Sequence, residues 1–165
     1  MTTIVINEKG QRVIQIDTII FSSKRRIDWL GVETYLKKYV GEKYIIDETD
    51  DVIYIGSDFP DEYANSKYST KALGTIGKAK ANAVQAIPEL IKTASNVSFR
   101  MNSEEKHSIN AKFGWYRCTV RFSLPTCDDR GNITGRNFFQ GRMIIRCDAD
   151  GKKYLYDIID IKKET

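Results

Sequence analysis

The strongest constraint on the fold lies between Trp115 and Arg146. Tyr116, Cys118, Val120, Phe122 and Leu124 alternate with Arg117, Thr119, Arg121 and Ser123. After a polar loop, Phe139, Gly141, Met143 and Ile145 alternate with Gln140, Arg142, Ile144 and Arg146. A period of two is the period of a β-strand, whose successive side chains point to opposite faces. KYLYDIIDI reads as a third strand, reached through the turn DADGKK. Three strands joined in sequence make an antiparallel meander, with one face on a core and the other open to water.

What packs on the apolar face is read from the helical signal upstream. Leu73, Ile76, Ala83, Val84, Ile87, Leu90, Ile91 and Ala94 fall on one stripe, with Lys71, Lys78, Asn82, Gln85 and Lys92 largely off it. Pro88 predicts a kink, or a break that puts it in the first turn of a second helix. Nearer the N-terminus, TIVINEKGQRVIQIDTIIF reads as two β runs about the turn NEKG. Trp29, Val32 and Leu36 then mark a short helix ended by Gly41, and YIIDETDDVIYIG resembles a second hairpin. GSDFPDEYANSKYS reads as a loop. The expected class is α+β: a central long helix packed on a C-terminal antiparallel β-meander, with an N-terminal β-hairpin and short helix. Residues 1–49 are expected as an extension and 50–165 as the main domain, a size that suits one domain of 165 residues.

The apolar runs are short and interrupted by charge, so no membrane partner is expected. MTTIVINEKG lacks a basic region followed by an apolar core, so no secretory signal is expected. Three cysteines with no CxxC pair point to reduced thiols in the cytoplasm and away from zinc. No metal or cofactor is expected: Asp58, Asp61 and Glu62 follow no ligand spacing, and DADG lacks the remainder of a calcium loop. Phosphate-loop, dinucleotide and nucleophile-elbow motifs are missing as well.

Charge is distributed unevenly. Residues 1–65 carry 8 Lys/Arg against 12 Asp/Glu, and residues 66–165 carry 18 against 10, so a net −4 is followed by a net +8. A basic C-terminal portion points to an anionic partner, nucleic acid being the commonest. The water-facing side of the meander supplies candidates. Arg117, Arg121, Arg142 and Arg146 point the same way, with residues four apart on one strand separated by about 13 Å. Guanidinium groups crowded on one face repel unless an anion or carboxylate lies among them, and phosphate matches their planar fork of donors. The alternative is internal pairing with Asp157, Asp160 or the acidic N-terminal portion. Tyr154 and Tyr156 are candidates for stacking on unpaired bases, which makes RNA the favoured nucleic acid over DNA; they are equally good strand and core residues.

The segment HSINAKFG before the first meander strand holds the only histidine, His107, flanked by Lys106 and followed by Lys112. An imidazole titrates near neutrality and exchanges a proton with a ribose hydroxyl or a leaving oxygen. A neighbouring cation stabilises charge developing on phosphorus. That chemistry is metal-independent RNA cleavage.

The blocks DFPDEYANSKYS, KAKANAVQAIPELI, EKHSINAKFGWYRCTVRFSLP and DADGKKYLYDIIDIKKE, in that order, resemble the third numbered type of large polyvalent-protein-associated domain of phages and mobile elements. Its helix-then-meander layout is similar to the barnase/EndoU/colicin/RelE-like nucleases. The resemblance implies a metal-independent endoribonuclease-like effector, or a non-catalytic nucleic-acid- or protein-binding accessory domain. In the first case His107, Lys112, Tyr116, Arg117 and Arg121 are the expected catalytic set. Lys106, Arg142, Arg146, Tyr154 and Tyr156 would then bind substrate, and an inhibitor or immunity protein is an expected partner. A single histidine requires a Lys, Arg or Tyr as the second proton-transfer group.

Overall fold

A computed structural model describes residues 2–22, 26–100 and 114–164. The chain is mixed α/β, built on a curled eight-stranded sheet. The meander forms its centre: β6 (Gly114–Cys127), β7 (Ile133–Cys147) and β8 (Lys153–Glu164) pair antiparallel in sequence. The hairpin β1 (Thr2–Ile6) and β2 (Arg12–Ile16) joins β6 in parallel through Ile14 and Gln15. A smaller hairpin, β3 (Lys43–Ile45) and β4 (Val52–Tyr54), joins β8 in parallel at the far side. β5 (Ser95–Arg100) runs antiparallel to β6 at Trp115–Thr119, while β2 takes Phe122 and Ser123 farther along the strand.

The alternation read from sequence sets the two faces. Cys118, Val120, Phe122 and Leu124 of β6 and Phe139, Met143 and Ile145 of β7 are buried in the hydrophobic core. Removing such apolar surface from water drives the helices onto this side of the sheet. Four short helices fill it: α1 (Trp29–Leu36), α2 (Phe59–Ala64), α4 (Gly74–Asn82) and α5 (Ile87–Thr93), with α3 (Lys67–Lys71) between α2 and α4. Val32 and Leu36 of α1, Ile14 and Ile16 of β2, and Val84, Leu90 and Phe122 belong to one cluster. Segment 1–49, expected as an extension, thus contributes strands to the common sheet and side chains to the common core.

The central helical stretch is not one long helix but α4, a 3-10 turn at Ala83–Ala86 and α5, with the break that Pro88 predicts. Pro88 has no backbone N–H and occupies the first turn of α5, where none is needed. The segment read as a loop holds α2 and α3. Pro60 opens α2, and the Ser66 hydroxyl accepts from Ser69 N at 3.3 Å to cap α3. Asn82, fully buried, ties the break to the chain after β2. Its Oδ1 accepts from Ile20 N (2.9 Å) and Phe21 N (3.2 Å), and its Nδ2 donates to Phe21 O (2.9 Å) and Lys78 O (2.8 Å).

Candidate functional site

On the solvent side of the sheet, register brings side chains from several strands into rows. One row runs Arg100 (β5), Trp115 (β6), Arg146 (β7), Tyr154 (β8) and Tyr54 (β4). The next pairs Ser98 with Arg117 and Arg117 with Ile144, and the row after it sets Thr119 beside Arg142. Arg121 follows, opposite Gln140. Arg100, Arg117 and Arg142 meet around one groove of about 190 Å³, together with Asn96, Ser98, Cys118 and Thr119. Arg121 lines the adjoining groove with Arg12, Glu48 and Asn96.

The four arginines singled out in the sequence divide by environment. Arg146 is committed internally: its side chain is 9% exposed, Nη1 donates to Glu62 Oε2 at 2.9 Å and Nε to Asp148 Oδ1 at 2.6 Å. Its partner Glu62 is held up to about 7 by burial, against the lowering pull of the guanidinium. Arg142 pairs with Asp160 at 3.2 Å, a half-exposed pair. Such a pair contributes little, because water screens it. Arg117 and Arg121 make no ion pair among the described residues, and the Nε of each is buried without a hydrogen-bond partner. A buried donor without an acceptor costs about 1–3 kcal/mol.

The tyrosines are held in ring contacts. Tyr154 donates to Asp150 Oδ2 at 2.7 Å, a bond that leads the rise of its pKa to about 12, and its ring packs 5.9 Å from Tyr54. Tyr156 sits edge-on to Trp115 at 5.1 Å, and Trp115 is the register partner of Arg100. Tyr116 lies on the opposite face of β6 from Arg117 and Arg121, against Phe99 at 5.1 Å. The structure therefore does not bring Tyr116 to the arginines. Lys106, His107 and Lys112 lie outside the described residues. Among the described residues no group of three or more His, Cys, Asp or Glu side chains is placed to hold a metal ion, and no helix is long and apolar enough to cross a membrane.

Two features escaped the sequence reading. Arg100 was missed because SNVSFR was not recognised as a strand, although Val97 and Phe99 alternate with Ser98 and Arg100. The second is a buried ion pair. Lys80, 2% exposed, donates to Asp157 Oδ1 and to Ile158 O, both at 2.5 Å, and lies 4.2 Å from the Tyr63 ring centre. Tyr63 in turn donates to Lys80 O at 2.6 Å. Burial pushes the Lys80 amine down and the Asp157 carboxyl up, against the opposing pull of each on the other. Asp157 Oδ2 is buried with no hydrogen-bond partner; the Ser66 hydroxyl lowers the carboxyl slightly without a bond of normal geometry to that oxygen. With every Lys80 donor directed at protein, this pair ties α4 to β8. The signal for it was in the sequence: Lys80 stands four residues after Ile76 and four before Val84, on the apolar stripe itself.

Compared with known proteins, the chain matches no family model, no curated protein and no solved structure. The likeness to polyvalent-protein-associated domains rests on the sequence blocks alone.

Proposed function

We propose that this protein binds single-stranded nucleic acid, RNA in the first instance, through the basic solvent face of β5, β6 and β7. One observation carries the reading: Arg100, Arg117 and Arg142 converge on one groove, and the Arg117 Nε, like that of neighbouring Arg121, is buried with no acceptor among the described residues. A basic groove on a sheet face, with Trp115 in the register row of Arg100, suits an unpaired strand whose phosphates track cations while its bases meet side chains. The polyvalent-domain resemblance adds a setting, an accessory nucleic-acid-binding unit of a phage or mobile element. Binding is favoured over cleavage because Tyr116, a candidate proton-transfer group, stands on the other face of β6 from Arg117 and Arg121.

Fluorescence anisotropy of a 3′-labelled oligouridylate, titrated at several salt concentrations, tests this. Binding is expected to weaken linearly in log–log form, with a slope of about −0.7 for each phosphate contacted. Arg117→Gln and Arg142→Gln each reduce the slope by about that amount. Absence of salt-dependent binding overturns the proposal. Incubating the same RNA without metal and resolving it on a gel tests cleavage: intact RNA is expected, and fragments that His107→Ala abolishes would overturn the assignment as a binder only.

A further inference from the structure

We infer that the Arg100–Arg117–Arg142 groove receives the terminal 5′-phosphate of a nucleic-acid strand rather than an internal phosphodiester. The inference rests on the binding reading above and names the part of the strand that the groove selects.

Charge is the first argument. The three guanidinium groups carry three positive charges, and Asp160, 3.2 Å from Arg142, offsets one. Among the described residues the groove is left with two. An internal phosphodiester brings one negative charge, whereas a phosphate monoester approaches two once its second proton leaves, near pH 6. Arg12, Arg121 and Glu48 line the adjoining groove, where Arg12 is paired with Asp47 at 2.7 Å. Glu48 is turned toward the start of β5, its oxygens accepting from Asn96 N at 3.4 Å and Val97 N at 3.3 Å.

Size and donors are the second argument. At about 190 Å³ the groove has the volume of roughly six water molecules. That is room enough for one phosphoryl group and the edge of its sugar. Beside the guanidinium donors it presents the hydroxyls of Ser98 and Thr119 and the amide of Asn96. A monoester has three terminal oxygens to accept from such a set, one more than a diester leaves free.

Among the described residues, the charged groups lining the groove are Arg100, Arg117 and Arg142, with Asp160 beside Arg142. Arg121 and Glu48 stand just beyond. The test compares two 3′-labelled oligoribonucleotides of one sequence, one with a 5′-phosphate and one with a 5′-hydroxyl, bound to the full chain. At pH 7.5 the 5′-phosphate form is expected to bind about tenfold tighter, a difference of about 1.4 kcal/mol. That advantage shrinks as pH falls through about 6, where the monoester regains a proton. The 5′-hydroxyl strand, run over the same pH range, subtracts any titration of the protein. Arg117→Gln and the charge-preserving Arg117→Lys both reduce the 5′-phosphate advantage, while Arg121→Gln weakens both strands alike; unfolding curves verify that each variant is folded. Equal, salt-dependent affinity for the two strands overturns the terminal-phosphate inference and leaves the binding reading standing. No binding of either strand overturns both. A phosphoserine peptide that binds as tightly as the phosphorylated strand overturns the assignment to nucleic acid.

Discussion

Replacing Lys80 by Met removes the charge opposite Asp157 without emptying the space. Asp157 is 1% exposed, its Oδ2 has no partner, and without Lys80 its Oδ1 keeps only the Ile158 N–H at 2.8 Å. Deleting one member of a buried ion pair costs about 3–5 kcal/mol, since the survivor is left uncompensated. At about 2–4 °C per kcal/mol for a chain of this size, the melting temperature falls by about 6–20 °C. Replacing both residues, Lys80→Met with Asp157→Leu, leaves no buried charge and restores most of the loss. The pH dependence has a definite sign. Burial already raises the Asp157 carboxyl above its ordinary 3.8, and loss of Lys80 removes the chief opposing pull. The native variant therefore takes up a proton at higher pH than the unfolded chain. Its deficit is complete above the raised pKa and shrinks as pH falls through it, by up to about 1.4 kcal/mol per pH unit. Urea unfolding at pH 7.5 and pH 5.5 reads both effects. A single variant within about 1 kcal/mol of wild type at pH 7.5, or a double variant no more stable than the single, would refute the reasoning.

Two further outcomes follow from the packing. Glu62, raised to about 7 by burial, is protonated in the native state over a range where the unfolded group, near 4.5, is ionised. Stability from this group therefore increases as pH falls from 8 toward 5, and Glu62→Gln flattens that dependence in thermal melts. Asn82→Ala strips partners from the Ile20 and Phe21 amides and from two carbonyls, and is expected to cost about 2–3 kcal/mol in urea unfolding.

The meander was legible because its strands obey period two over long runs, and the Cys118, Val120 and Phe122 series could pack on only one side. The break near Pro88 was legible for a covalent reason. The helices α2 and α3 were not, because Asp58, Pro60 and Ser66 are loop formers and helix starters alike, and only the burial of Phe59 and Tyr63 decides between the two. The arginine face was legible in outline, but its division was not. Arg146 is neutralised by Glu62, distant in sequence, and no local pattern indicates that contact. Arg100 entered the groove through β5, whose Ser and Asn content hid its alternation. Lys80 was passed over although its place on the apolar stripe marked it as buried.

The central claim is that the Arg117 and Arg142 guanidinium groups meet phosphate. Its most direct test is the salt dependence of oligouridylate binding by wild type, Arg117→Gln, Arg142→Gln and the double variant. Slopes are expected to fall by about 0.7 for each arginine removed, with affinities declining in step. A wild-type affinity indifferent to salt, or a double variant whose slope equals that of wild type, would contradict it.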